Sequence, residues 1–146
     1  MNIVNVIANE PIGTINPNIY GHFTEHIGGV IYDGIWVGKD SSVENVRGFR
    51  KSIVDGLQQI RAPIIRWPGG CFAETYDWRD GIGPVDKRPT TVNWWYGEDR
   101  RLEPNAVGTH EFAEFCHMVG AEPYFAANAT STMPLEIRNW IEYCTF

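Results

Sequence analysis

The chain has 146 residues, a formal net charge of -6 from 12 Lys and Arg against 18 Asp and Glu, and 43% apolar residues, so it can bury one ordinary core and its acidity argues against a nucleic-acid partner. There is no low-complexity tract or internal repeat, and no apolar run approaches membrane-spanning length, so no membrane partner is expected. Cys71, Cys116 and Cys144 have no CxxC spacing and cannot all pair, which suits a reducing cytoplasm better than a disulfide scaffold.

The amino terminus, Met1-Asn2-Ile3-Val4-Asn5-Val6, lacks the basic start and long apolar core of a signal peptide. Residues 3–7 alternate loosely up to Asn9-Glu10-Pro11, and residues 12–15 offer a second short strand before Asn16-Pro17-Asn18. Ile19 to Phe23 is the next strand candidate, tipped by Thr24-Glu25-His26. Apolar Phe49, Ile53, Leu57 and Ile60 then recur at helical spacing, and this helix should stop before Pro63. Ile64-Ile65-Arg66-Trp67 is a strand that runs straight into Pro68-Gly69-Gly70.

A stretch of about forty residues rich in Gly, Pro and Trp follows, a length that is unusual for a plain connection and points to function. Its basic pairs, Lys87-Arg88 and Arg100-Arg101, read as solvated loop charges. Thr109 can cap a helix striped by Phe112, Phe115, Cys116 and Val119, which Gly120 can end in a left-handed conformation. Pro123 to Ala127 is a further strand candidate, and Pro134 opens a helix striped by Ile137, Trp140, Ile141 and Cys144. Strand alternates with helix, with polar residues at the strand ends. That order argues for a parallel α/β sheet whose site lies at the carboxyl ends of its strands, as in a (β/α)8 TIM barrel. A complete barrel takes about 250 residues, so on this fold the chain is expected to be a fragment.

Several residues at those tips could carry chemistry. His22-Phe23-Thr24-Glu25-His26 matches the H-x-x-E-H pattern of zinc hydrolases, but two histidines reach one metal ion only from a helix, which Tyr20-Gly21 and Gly28-Gly29 disfavour. Glu25 can instead be a satisfied partner at a strand end, or a carboxylate that binds ligand hydroxyls. Arg66, just before the glycine turn, can pair with a surface carboxylate or hold a catalytic one ionised by bidentate hydrogen bonds. Cys71 has no base assigned to it and suits a buried, unreactive thiol. Trp67, Tyr76, Trp78, Trp94, Trp95 and Tyr96 are too many aromatics for one loop to hide, and aromatic faces bind the C–H faces of sugars. Asn128-Ala129-Thr130 matches a glycosylation sequon, a pattern of low specificity.

Gly21-His22-Phe23-Thr24-Glu25-His26, Ile31-Tyr32-Asp33-Gly34-Ile35-Trp36, Arg66-Trp67-Pro68-Gly69-Gly70-Cys71-Phe72, Trp78-Arg79-Asp80-Gly81-Ile82-Gly83-Pro84 and Gly108-Thr109-His110-Glu111-Phe112 together resemble the amino-terminal part of the α-L-arabinofuranosidases of glycoside hydrolase family 51. The resemblance implies an α/β fold in which residues 1–18 supply strands to a β-sandwich and residues 19–146 form the first three βα units of a (β/α)8 barrel. It implies a retaining glycosidase, without cofactor or metal, that releases terminal α-L-arabinofuranosyl groups from arabinose-containing hemicellulose and oligosaccharides. It also implies a homo-oligomer at full length.

By the same resemblance Glu25 binds sugar hydroxyls, Gly70 and Cys71 line the arabinofuranose subsite, Arg66 supports the nucleophile, and Trp94 or Trp95 flanks the leaving group. Many members carry Asn where Cys71 stands, and glycines where this chain has Asn128 to Thr132. The acid/base and nucleophile are expected on the fourth and seventh strands, beyond Phe146, so the isolated chain is expected to be inactive. The alternatives are a non-catalytic carbohydrate-binding module that keeps Glu25, the glycine turn and the tryptophan loop, and the H-x-x-E-H zinc hydrolase.

Overall fold

The computed structural model describes residues 2–96 and 102–145. The first element is a single 3-10 turn, Pro17–Tyr20, capped by Asn16, whose side chain accepts the Asn18 N–H at 2.9 Å. Strand β1 (His22–Phe23) follows, then a hairpin of β2 (Asn45–Val46) and β3 (Phe49–Arg50), helix α1 (Lys51–Ile60) and strand β4 (Ile64–Trp67). A second antiparallel hairpin, β5 (Thr91–Val92) and β6 (Leu102–Glu103), lies inside the long connection. Helix α2 (Thr109–Val119), strand β7 (Glu122–Phe125) and helix α3 (Pro134–Thr145) complete the order.

Strands β1, β4 and β7 form one parallel sheet with β4 in the centre. Parallel neighbours need a crossover between them, and α1 and α2 each supply one. Side chains alternate across β4, so Ile65 and Trp67 are fully buried while Ile64 and Arg66 face the other way. On the buried side Trp67 stacks on Phe112 of α2, with ring centroids 5.3 Å apart, and meets Phe125 and Trp140 edge-on. The opposite side carries the row Phe23, Arg66 and Tyr124, one residue from each strand in register. Phe23 is 77% exposed and Tyr124 53%, so this face is open.

The helix ends follow local chemistry. Helix α1 begins at Lys51 rather than Phe49, because Phe49 and Arg50 are taken up by the hairpin with β2. It closes at Arg61 in a left-handed conformation ahead of Pro63. At the start of α2 the cap is Gly108, not Thr109. The Gly108 N–H donates to Glu111 at 2.9 Å, and a Cβ on Gly108 would lie 1.8 Å from the Gly81 carbonyl oxygen, so the backbones approach too closely for any side chain. The Thr109 hydroxyl instead accepts the Trp140 indole N–H at 3.0 Å, tying α2 to α3. Gly120 ends α2 in the left-handed conformation.

The long connection is not structureless. Three 3-10 turns, Phe72–Glu74, Trp78–Gly81 and Val85–Lys87, fold it back on itself. Arg88 is not a solvated loop charge, since its side chain is buried and donates to Gly83, Asn105 and the Glu111 carboxylate. Burial pushes the Glu111 carboxyl up, but the Arg88 fork and the Gly108 N–H outweigh it and hold the group below its ordinary value. Arg100 and Arg101 lie outside the described residues.

The early strand candidates fare differently. Residues 3–7 and 12–15 are not strands, and Ile19 and Tyr20 belong to the 3-10 turn, which leaves only His22 and Phe23 in β1. An apolar alternation becomes a strand only where a ladder partner exists, and among the described residues none lies beside 3–15. The sheet has two edges, β1 and β7, and Phe23, Tyr124, Leu135 and Ile141 are large apolar side chains left exposed. The chain by itself is therefore expected to bind a hydrophobic dye and to elute from a sizing column as associated species. A dye-silent monomer with a cooperative thermal transition would contradict this.

Candidate functional site

The candidate site is built where β1 and β4 end. The Trp67-Pro68 peptide is cis. Beyond the ladder the two chains continue side by side, because the Thr24 N–H donates to the Arg66 carbonyl at 2.8 Å and the His26 N–H to the Pro68 carbonyl at 3.0 Å. Alternation then sends Thr24 and His26 into the protein and Glu25 to the open side, with Phe23 and Arg66. Glu25 Oε1 accepts the Phe72 N–H at 2.9 Å. Gly69 has φ +147° and passes so close that a Cβ there would lie 2.3 Å from Glu25 Cγ, so only glycine leaves room for this carboxylate.

Arg66 is held beside it. Its Nη1 donates to the Gly69 carbonyl at 2.8 Å, and its guanidinium carbon lies 4.8 Å from the centre of the Phe23 ring. Glu25, Arg66 and the Gly69-Gly70 turn thus form one polar corner of opposite charges at the open side. A carboxylate can accept ligand hydroxyls there, and the remaining guanidinium donors can hold an anion.

Beneath this corner lies a buried polar network. His26 is 1% exposed, and its ring stacks on Phe72 with centroids 4.5 Å apart. Its Nε2 lies 2.8 Å from the Trp67 indole nitrogen and its Nδ1 lies 2.9 Å from Glu103 Oε2. An indole N–H can only donate, so Nε2 is an acceptor, and the proton sits on Nδ1, which donates to Glu103. Glu103, also 1% exposed, accepts from the Tyr32 hydroxyl and from the Asn105 N–H at 2.9 Å. Burial, and then the adjacent Glu103 carboxylate, push the Tyr32 phenol well above its ordinary value, so it stays a donor. Asn93 completes the set by donating to the His26 carbonyl at 2.7 Å and accepting the Trp95 N–H at 2.9 Å.

The H-x-x-E-H zinc site is thereby overturned. Residues 22–23 form a strand, His22 is exposed, and both ring nitrogens of His26 are committed to Trp67 and Glu103. Among the described residues no group of His, Cys, Asp and Glu is arranged to hold a metal ion.

Residues 56–144 match the family model described as the Alpha-L-arabinofuranosidase 1 domain. The chain belongs to the α-L-arabinofuranosidases of glycoside hydrolase family 51. It is 44% identical over 142 residues to an intracellular exo-alpha-L-arabinofuranosidase of Bacteroides ovatus, covering 97% of this chain and 27% of that protein. The crystal structure of a GH51 arabinofuranosidase from Xanthomonas axonopodis pv. citri matches with a TM-score of 0.89 at 43% identity, over 93% of this chain and 27% of that one. An arabinose complex of the Thermotoga maritima alpha-L-arabinofuranosidase matches with a TM-score of 0.78 at 44% identity, over 86% of this chain and 25% of that one. The chain therefore spans about a quarter of the length of these relatives.

Of the residues that arabinofuranosidase motifs single out, Glu25, Arg66 and Gly70 come together at the polar corner. Cys71 is exposed at the start of the Phe72–Glu74 turn rather than buried. Trp94 and Trp95 are exposed and directly follow Asn93. Trp67, Tyr76 and Trp78 belong to the core and offer no free face, because β4 sets Trp67 against α2 and α3 and the loop after it folds Tyr76 and Trp78 against α3. Asn128 is buried, and its amide donates to the Tyr76 carbonyl and Ser131 hydroxyl while accepting the Thr130 and Ser131 N–H groups, so the sequon is a turn brace.

Among the described residues no helix is long and apolar enough to cross a membrane. Glu103 and Asn93 were not legible as site residues, since their partner His26 is far away in sequence and nothing in Asn93-Trp94 or Leu102-Glu103-Pro104 marks the pairing. In the chain completed to its relatives' length, Trp67→Phe should keep the stack on Phe112 but leave His26 Nε2 buried without a donor, a loss of about 1–3 kcal/mol in denaturant unfolding. Stability unchanged from the parent would mean that the indole bond carries nothing.

Proposed function

We propose that this chain is the sugar-recognition part of a retaining α-L-arabinofuranosidase that releases terminal α-L-arabinofuranosyl groups from arabinose-containing hemicellulose or arabino-oligosaccharides. The observation that carries this is the polar corner. A carboxylate held by one backbone N–H against a glycine turn, beside an arginine, suits the hydroxyls of a small sugar. Support comes from the relatives' names and from the arabinose complex of the Thermotoga maritima enzyme.

In this proposal Glu25 accepts hydrogen bonds from sugar hydroxyls, and Gly70 and Cys71 line the arabinofuranose subsite through their backbone. Trp94 or Trp95 flanks the leaving group. Residues 19–146 are the first three βα units of a (β/α)8 barrel whose interior is the open sheet face, and residues 1–18 add strands to a β-sandwich. Retaining hydrolysis needs two carboxyl groups roughly 5–5.5 Å apart, and family resemblance assigns both to the fourth and seventh strands, outside these residues. Arg66 then faces the nucleophile and keeps it ionised and oriented. The complete protein works in the cytoplasm as a homo-oligomer and needs no cofactor. The intracellular Bacteroides ovatus relative supports that location.

The test uses this chain completed to the length of its relatives, assayed on an aryl α-L-arabinofuranoside. Glu25→Ala loses charged hydrogen bonds to the sugar, so kcat/KM should fall by about ten- to a few hundred-fold with the acidic limb of the pH profile unmoved. Arg66→Ala removes a positive charge from beside the nucleophile, whose carboxyl then keeps its proton to higher pH, so the acidic limb should move upward. Arg66→Lys keeps the charge but loses the planar fork and should show a smaller defect. Full activity in Glu25→Ala would remove Glu25 from the sugar subsite. An unmoved limb in a folded Arg66→Ala would make Arg66 structural. Sugar binding without turnover by the parent protein would favour a carbohydrate-binding module.

A further inference from the structure

We propose that Glu103 is a positioning residue, acting through His26 to latch the tryptophan loop onto the sugar-recognition corner. The proposal rests on the functional reading above for what the corner binds, and on geometry alone for the latch. Strands β5 and β6 carry the loop out and back, and the return strand and the residue just after the outward one are both fixed to His26. Asn93, next after β5, holds the His26 carbonyl at 2.7 Å, and Glu103, in β6, holds the His26 ring at 2.9 Å.

His26 follows Glu25 directly, and its ring stacks on Phe72, whose N–H holds the Glu25 carboxylate. One residue therefore joins Trp94 and Trp95 to Glu25 and to the start of the Phe72–Glu74 turn. A buried carboxylate with donors from Tyr32, His26 and Asn105 is costly to leave half-satisfied, so the loss of any one donor weakens its hold on His26.

Such a latch does two things for recognition. It sets the distance between the exposed tryptophans and Glu25, and it keeps the Phe72 N–H aimed at Glu25 Oε1. A Gln at 103 has the same shape and can still accept from Tyr32 and Asn105. However, its amide donor faces the His26 Nδ1 proton, so either the ring moves or its proton shifts to Nε2, and in both cases the Trp67 bond is lost. The defect should then travel to the loop and to Glu25 while distant packing is spared.

Amide hydrogen exchange on the chain completed to its relatives' length tests this without turnover, so its outcome is separate from that of the arabinofuranosidase reading. In Glu103→Gln the Trp95 and Phe72 amides should exchange about ten- to a hundredfold faster, while the Cys116 and Val119 amides of α2 keep the parent's protection. On an arabino-oligosaccharide the same variant should raise KM more than it lowers kcat. Uniform quickening throughout the protein would make Glu103 merely structural and overturn the proposal, as would unchanged exchange at Trp95 and Phe72. Should Glu103→Gln not fold, Tyr32→Phe removes one donor from the carboxylate and leaves the His26 bond. It should produce the same selective pattern at smaller amplitude, and its absence would overturn the latch.

Discussion

The buried ring of His26 is the constraint on which the rest of the structure depends. An imidazole 1% exposed is tolerated only with both nitrogens partnered. Its partners come from opposite directions, the indole of Trp67 on the central strand and the carboxylate of Glu103 on the returning loop. Removing either leaves a polar atom without a partner in the interior. The central strand, the long connection and the end of β1 are therefore held to one another by the satisfaction of a single side chain, and the open polar corner inherits its shape from them.

Register turns that constraint into a division of labour. Along Phe23-Thr24-Glu25-His26 alternate residues go to opposite faces, so Thr24 and His26 anchor while Glu25 stands on the open side, held by the Phe72 N–H. On β4 the same alternation gives Trp67 to the core and Arg66 to the open side. A shift of one residue would bury Glu25 and expose His26 in the first segment, and would bury Arg66 and expose Trp67 in β4. The glycine at 69 closes the arrangement, because its missing Cβ is the space that the Glu25 side chain fills.

Much of this was legible in the sequence where the signals are local. The helices at 51–60, 109–119 and 134–145 and the strand at 64–67 follow from apolar spacing and from Pro63, Gly120 and Pro134. Glu25, Arg66 and Gly70 were readable because they stand at strand tips beside a Pro-Gly-Gly turn, and the motif resemblance gave them roles. What could not be read was long-range. Arg88 looked like a loop charge because its partner Glu111 lies beyond the β5–β6 hairpin, and Trp78 looked exposed because α3, which covers it, comes much later in the chain. The strands expected at 3–7 and 12–15 had the right alternation but no ladder partner among the described residues. Glu103 carries no motif at all, and only the folded hairpin brings it to His26.

The most direct test of this account is the tautomer of His26, read from the nitrogen chemical shifts and long-range proton couplings of its ring in the protein completed to its relatives' length. The account predicts a proton on Nδ1 and a bare Nε2 that accepts from the Trp67 indole, together with a slowly exchanging indole proton on Trp67. A proton on Nε2 would break the bond to Trp67, reverse the direction of the contact with Glu103, and contradict the account at its centre.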